Sequence, residues 1–490
     1  MLADSHNAPP PALAALDIVS LLERHPNLQI ERDEYNINVT SGLGEAISSD
    51  SALNLIEAHD GANKPAHVYF HVPLCAYLCD FCNYVKRLMP TGPGAAATVD
   101  RWTALLIEES SRYLRSMPWY ARARVESVYL GGGTAAVLGP RNLSALLDHV
   151  SGNYSLSSDC EISLEGNPDN FQHDEARRAI THGFNRFSVG VQSLQDSVND
   201  FTGRKHSSAM SLRAIDALLE TNKPFNVDMM FGLPHQTPTS VRQDIQTLAA
   251  RRVPTITIYR LRNADRAKMG IGVTAKWNVP LVRLQMQSAG LFPTLNETYL
   301  MRNEAVDVLM SSGYRPSPCG WWSLPDVYDG GIPRVSRNKW ERYDSMLAFG
   351  PGAYGWISGG TNQILQTHND TNITRHASLL ETSTALPLAS GRLLRGREAV
   401  ATVLGFAFKA FQPISLERFR RQFDVDLLAD EPYATVLRDM IAADFIRLSV
   451  RDTLTPTLTG EALHEEIIFA FFHRRLGADG GLCKRLAAAC

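Results

Sequence analysis

From Ala66 onward the chain alternates between two hydrophobic rhythms. Short runs at 67–72 (HVYFHV), 126–131 (ESVYLG), 161–165 (EISLE), 186–191 (RFSVGV), 225–231 (FNVDMMF) and 255–260 (TITIYR) carry the β-branched and aromatic content of strands. Between them, at about 98–116, 140–151, 172–182, 208–221 and 239–251, apolar positions recur every three or four residues, as on one face of a helix. Strand–helix alternation of this kind indicates parallel βαβ units. Six units are too few for a closed eight-stranded barrel. The pattern predicts an α/β fold built on a partial (β/α)6 TIM-like barrel; a doubly wound sheet would show the same alternation.

The unusual residues cluster at one end of these runs. Three cysteines follow the first strand, Gly131-Gly-Gly-Thr134 closes the second and Glu165 the third. Gln192 closes the fourth, Asp228 lies in the fifth ahead of Gly232-Leu-Pro-His235, and Tyr259-Arg260 closes the sixth. In parallel barrels the strand C-termini form the active face, so six strands deliver polar or glycine-rich chemistry to one rim.

Outside 66–360 the organisation is looser. Residues 1–65 read as a leader, a tail over 1–12 and then a polar stretch without an assignable rhythm. A helix is predicted at about 297–312, followed by a Trp/Gly/Pro-rich stretch ending Gly350-Pro-Gly-Ala-Tyr-Gly355. Residues 361–396, closing on Gly391-Arg-Leu-Leu-Arg-Gly396, read as a linker. Beyond it, helices at about 397–410, 415–423 and 431–443 lead to short β-like segments at 445–450 and 453–458, a winged-helix-like module within 397–475 that precedes a tail at 476–490. No basic recognition helix stands out there. Packing against the barrel is favoured over DNA binding.

Composition narrows the class of function. The 490 residues are 44% hydrophobic and 20% charged, with formal net charge −3 and no basic block to suit a nucleic acid. No apolar run approaches the ~18 residues needed to span a bilayer, and the N-terminus lacks the basic and apolar regions of a secretory signal. Seven cysteines are too sparse for a disulfide framework. A reduced cytoplasm is the expected setting.

Cys75, Cys79 and Cys82 stand in His71-Val-Pro-Leu-Cys-Ala-Tyr-Leu-Cys-Asp-Phe-Cys-Asn-Tyr84. The C-x3-C-x2-C spacing suits an iron–sulfur cubane with three protein ligands, where four are usual. An iron left open can bind a reactant, in radical chemistry often S-adenosylmethionine (SAM). A structural zinc site would need a fourth ligand, which His71 could supply, but only one knuckle-like pair is present. Gly131-Gly-Gly-Thr134 has neither the lysine of a P-loop nor dinucleotide spacing. On the rim it reads as exposed backbone for the amino group of a methionine moiety. Glu165, Gln192 and Asp228 could be ordinary strand ends, and Arg204 a surface cation. Together they supply carboxylates for ammonium and hydroxyls, and a guanidinium for a carboxylate.

These motifs, with Tyr69-x-His71-Val-Pro, Glu165-Gly-Asn-Pro168, Gly190-Val-Gln-Ser193, Gly203-Arg-x-His206, Asp228-Met-Met-Phe-Gly-Leu-Pro234 and Gly350-Pro-Gly-Ala353, resemble the HemN-like branch of the radical SAM superfamily across about 66–360 and 397–475. The resemblance implies a [4Fe–4S] cluster on the three cysteines that cleaves SAM to methionine and a 5′-deoxyadenosyl radical. It implies that Gly132, Gly133, Glu165, Gln192, Arg204 and Asp228 hold this SAM, and that Tyr69 sits beside the cluster among the catalytic residues. Phe81, Thr134 and Arg260 lie where a second SAM would be contacted. An external flavodoxin- or ferredoxin-type reductant is implied, and a companion methyltransferase or biosynthetic enzyme is compatible with it.

Two departures bear on substrate. Tyr84 stands where coproporphyrinogen dehydrogenases carry another cysteine, and Val335-Ser-Arg-Asn-Lys-Trp340 lacks the histidine of the haem-chaperone motif. Both favour the two-SAM members, C-methylases or cyclopropanases acting on an unsaturated small molecule, with Cys319 and His235 as candidates for proton transfer. Tetrapyrrole chemistry and non-catalytic haem trafficking are the alternatives.

Overall fold

A computed structural model describes residues 16–25, 44–262, 275–318, 320–327, 331–359, 363–431, 433–449 and 452–464. The chain begins with helix α1 (Ile18–Arg24), strand β1 (Glu45–Ile47) and helix α2 (Ser49–Glu57). The predicted alternation then follows: β2 (Pro65–Val72), α3 (Gly94–Ser116), β3 (Arg124–Gly132), α4 (Gly139–Asn153), β4 (Ser155–Gly166), α5 (Glu175–Thr181), β5 (Arg186–Gln192), α6 (Ser208–Leu219), β6 (Phe225–Phe231), α7 (Pro238–Ala250) and β7 (Thr255–Arg260). All six predicted strands are present, and β2 to β7 pair side by side in chain order, every pair parallel.

The remainder extends both edges of this sheet. Helix α8 (Leu295–Ser311), β8 (Arg315–Pro316) and β9 (Trp321–Ser323) follow, β9 pairing antiparallel with β7. After α9 (Arg334–Glu341), β10 (Ser345–Phe349) pairs parallel with β2 as a seventh parallel strand. Then come β11 (Tyr354–Ser358), β12 (Gln363–Asn369), α10 (Ile373–Thr382) and β13 (Leu388–Arg395). Among the described residues the sheet has thirteen strands in the order β1-β13-β12-β11-β10-β2-β3-β4-β5-β6-β7-β9-β8.

Two readings of the sequence are corrected here. Residues 361–396 are not a linker: β12 and β13 form an antiparallel pair within the sheet, and Gly391 packs so tightly that a Cβ there would come within 2.6 Å of Ala52. Nor is the leader wholly separate, since β1 pairs with β13 and α1 buries Ile18 and Leu21 in the C-terminal core. Leu16 also exchanges backbone hydrogen bonds with the Asn303 side chain at 3.2 and 3.1 Å. A seven-residue helix is too short to stand alone, and this docking supports it.

The C-terminal module comprises α11 (Arg397–Lys409), α12 (Leu416–Phe423), α13 (Tyr433–Ala442) and a three-stranded sheet of 414–415, 446–449 and 453–456. Its core includes Leu404, Phe419, Leu437 and Phe445, with Tyr299 of α8 and Trp356 of β11. Tyr299 and Trp356 join it to the barrel. No helix among the described residues is long and apolar enough to cross a membrane.

The parallel strands are buried on both faces, yet the two faces differ. Val68, Phe70 and Val72 alternate with His67, Tyr69 and His71, and Phe187, Val189 and Val191 with Arg186, Ser188 and Gly190. Strand side chains alternate faces. The apolar parity packs against the helices, where each fully buried aliphatic or Phe side chain contributes roughly 1.5–3 kcal/mol. The other parity fills the lumen with His67, Ser127, Ser163, Arg186, Ser188, Asn226, Thr255 and Thr257, all buried. The barrel has a polar core.

Candidate active site

The loop after β2 carries the three cysteines and is pinned at several points. Cys75 forms a two-residue parallel rung with 87–88, and its carbonyl accepts from Met89 N–H at 2.8 Å. On the other side Asp80 N–H donates to Thr202 O at 2.9 Å. Gly203, at φ +81°, brings its backbone so close that a Cβ would lie 2.8 Å from Leu78 O. Only glycine meets both demands without strain.

Cys75 and Cys79 are buried, and Cys82 is partly exposed. Burial pushes the Cys75 thiol up to about 12, the Thr134 hydroxyl opposes it, and the Cys82 and Cys79 thiols add to it. Burial likewise raises Cys79, while the Arg204 guanidinium opposes. Thr134 Oγ1 points at Cys75 Sγ (3.6 Å) and Arg204 Nη1 at Cys79 Sγ (3.5 Å). Thiols so placed favour a metal that takes the proton's place. Among the described residues no three His, Cys, Asp or Glu side chains converge as ligands of a single ion. A cluster that brings its own sulfides asks for a wider set of thiols.

The Gly131–Gly133 turn is a cradle. A Cβ on Gly133 would stand 2.7 Å from Leu74 O and 2.9 Å from Cys75 Sγ, and one on Gly131 2.5 Å from Glu165 Oε2. The triplet therefore lets β3 lie against both the cysteine loop and Glu165. Arg204 is buried, donates from Nη2 to Gly190 O, lies 5.6 Å from the centre of the Tyr77 ring, and leaves Nε without a partner. Gln192 adopts φ +71° where the β5–β6 register shifts between Gly190 and Gln192. Such bulges re-aim side chains.

Glu165 and Asp228 face each other across the lumen mouth. Burial lifts the Glu165 carboxyl to about 8, reinforced by Asp228 and opposed by the Gly132 N–H, the Tyr129 hydroxyl and Arg186. Burial lifts Asp228 to about 6, opposed by Thr257, Arg186, Asn226 and Ser188. Tyr69 and Tyr129 stand beside them with ring centroids 6.1 Å apart, and burial raises both phenols, the Glu165 charge adding to each. Tyr69 also contacts His71 Nδ1 at 3.1 Å. Burial depresses His71 to about 4, and its Nε2 meets Val85 O at 2.7 Å. A carbonyl only accepts, so the neutral ring carries its hydrogen on Nε2, and Nδ1 accepts from Tyr69.

The residues matched to a second SAM are more dispersed. Thr134 adjoins Cys75 and accepts from Asn167 Nδ2 at 3.3 Å. Arg260 donates to the Tyr299 hydroxyl at 3.1 Å and lies over its ring. Phe81 packs on a separate apolar cluster with Phe201, Met230, Trp277 and Met286. His235, at φ +67°, sits by that cluster, its ring centroid 4.5 Å from that of Phe201 and its Nε2 buried without a partner. Cys319 lies outside the described residues. Sequence reasoning passed over Arg186 and Asn167, although Arg186 shares the lumen parity of Ser188 and Gly190.

Thiols, a glycine turn, two half-buried carboxylates and a partly satisfied guanidinium thus meet at one end of the barrel. The donor set fits a thiolate-bound cluster beside a zwitterionic, hydroxyl-bearing ligand.

Residues 69–248 match the family model described as the radical SAM superfamily. The haem chaperone HemW of Lactococcus lactis is 24% identical over 299 residues, covering 60% of this chain and 71% of that protein. HemW of Bacillus subtilis is 22% identical over 405 residues, covering 82% and 98%. The solved structure of HemN, a coproporphyrinogen III oxidase from Escherichia coli described as a radical SAM enzyme, superposes with TM-score 0.71 at 18% identity, covering 88% of this chain and 94% of that one. At that identity the likeness concerns the fold.

Proposed function

The chain carries a radical SAM domain of the HemN-like kind, and on that premise we propose that Cys75, Cys79 and Cys82 hold a [4Fe–4S] cluster at which SAM is reductively cleaved, in the service of tetrapyrrole chemistry. A bound cluster of this type supplies the electron that splits SAM into methionine and a 5′-deoxyadenosyl radical. The observation that carries the reading is the convergence of the three thiols, the Gly131–Gly133 cradle and the Glu165–Asp228 pair on one rim.

The chain's own residues then have distinct tasks. Backbone groups of Gly132 and Gly133 and the Glu165 carboxylate receive the ammonium end of SAM. Arg204 receives its carboxylate, and Asp228 with Gln192 the ribose hydroxyls. Tyr69, fixed by His71, stands beside the cluster. An external one-electron donor supplies the reducing equivalent.

The tetrapyrrole assignment rests on the named relatives, several of which are haem chaperones. Two observations favour a second reading, C-methylation or cyclopropanation by way of a second SAM at Phe81, Thr134 and Arg260. Tyr84 replaces a cysteine, and Val335–Trp340, without a histidine, lies on α9 beside the start of β3, where Asn338 and Arg342 bond Glu126.

Anaerobic turnover with methyl-deuterated SAM separates the two. Deuterium in 5′-deoxyadenosine together with S-adenosylhomocysteine supports group transfer; 5′-deoxyadenosine alone, with stoichiometric haem uptake, supports the tetrapyrrole reading. Cys→Ala at Cys75, Cys79 and Cys82 together should abolish cluster absorbance and SAM cleavage. Cleavage that survives the triple change overturns the whole assignment.

A further inference from the structure

One cation of the barrel lumen has no task in that scheme. Arg186, the first residue of β5, is fully buried. Its Nη2 donates to Asn226 Oδ1 and to Gly331 O (2.9 Å), while Nε and Nη1 find no acceptor among the described residues. A guanidinium removed from water is tolerated where opposite charge lies close. The anionic candidates around it are Glu165 and Asp228, one or two pleats nearer the rim.

A relay connects them. Asn226 Nδ2 donates to Asp228 Oδ1 at 2.8 Å and to Ser188 Oγ at 3.0 Å, and Ser188 Oγ donates to Asp228 Oδ2 at 3.4 Å. Asn226 Oδ1 is committed to Arg186, so its amide is oriented with the N–H groups toward the carboxylate. The other titratable groups facing the pair are phenols: Tyr69 from β2, Tyr129 from β3 and Tyr259 from β7. None of these carries positive charge. Arg186 is the cation acting on both carboxylates.

The plain alternative is that Arg186 only ties β5 to β6 and to the carbonyl of Gly331. A neutral amide would serve that purpose, and it would not leave two guanidinium donors open. We propose that Arg186 is a positioning residue of the SAM site, the fixed counter-charge to Glu165 and, through Asn226, to Asp228, which holds the two carboxylates ready for the ammonium and the ribose hydroxyls of the ligand. The proposal rests on the reading of those carboxylates as SAM contacts.

The test is the pH dependence of SAM binding, measured by anaerobic equilibrium dialysis of the cluster-loaded full chain between pH 5.5 and 9. Affinity should fall as the pH drops through the range where the carboxylates take up protons. Arg186→Gln, which keeps a donor for Asn226 but removes the charge, should move that acidic limb upward by about one pH unit or more. Arg186→Lys, which keeps the charge and loses the fork, should leave the limb near its wild-type position. An unmoved limb in a folded Arg186→Gln protein overturns the proposal. If that variant does not fold, an Arg186→Lys limb shifted by a full unit overturns it instead. Glu165→Gln separates the two levels of inference. If it binds SAM like the wild type across the range, the reading of the carboxylates fails; if it loses SAM while Arg186→Gln keeps its limb, only the role of Arg186 fails.

Discussion

Replacing Glu165 by glutamine should make the metal-free protein more stable while weakening its hold on SAM. The carboxyl's pKa rises from the ordinary 4.5 to about 8, because burial and then Asp228 disfavour its charge. The unfolded chain releases this proton near 4.5, and the folded chain keeps it until about 8. Between those values the unfolded state binds fewer protons, so stability falls as the pH rises, and the penalty is complete above 8. At ~1.4 kcal/mol per pH unit the ceiling is about 5 kcal/mol. Glutamine has no charge to desolvate, but its amide still needs partners, so a net gain of about 1–3 kcal/mol at pH 9 is the expected outcome. Below pH 4.5 the difference should vanish, since wild type is then neutral as well. Urea denaturation of the metal-free, reduced protein at pH 9 and pH 4 reads both ends. A Glu165→Gln protein no more stable than wild type at pH 9 would refute the account of a desolvated carboxylate awaiting a cation.

Three further outcomes follow from the packing. Gly203→Ala places a Cβ at φ +81° against Leu78 O and should reduce iron and sulfide per reconstituted chain to less than half; unchanged loading would show that the two loops can part without consequence. Glu461 of the C-terminal module pairs with Arg302 of α8 in a buried contact and accepts from Gly320 N–H at 2.8 Å. Glu461→Ala strands the arginine and should cost about 3–5 kcal/mol in chemical denaturation, and a loss under about 1 kcal/mol would mean that water reaches the pair. Ile18→Ala with Leu21→Ala empties two core positions and should expose the leader to limited proteolysis well before the barrel; a leader as resistant as in wild type would show that its docking does not depend on α1.

The six parallel strands and their chemical rim were legible because period two and glycine placement are local properties. Glu165, Asp228 and the cysteines announced themselves as polar residues at the ends of apolar runs. What escaped depends on distant partners. Gln363–Asn369 and Leu388–Arg395 alternate only weakly, and they are strands because each finds the other and because the sheet edge continues through Tyr354–Ser358 and Ser345–Phe349. Gly391 read as part of a linker, yet its missing side chain makes room for Ala52, more than three hundred positions earlier. Arg186 was readable in principle, since RFSVGV puts it on the same parity as Ser188. A charge opening a strand is so common at surfaces that only the observed burial distinguishes it.

The pairing of Glu45 with Leu393 joins positions 348 residues apart. At ~5–20 residues per second of synthesis, the leader waits roughly 17–70 s for its partner strand to be made. The barrel strands before it and all three cysteines are made well ahead of that moment, while β1 still has no strand to pair with. A ribosome-bound chain likewise presents its cysteine loop before Gly352, which packs on Val85, and Thr374, which accepts from Arg87, have been made, which gives assembly machinery a window for loading iron that the completed fold narrows.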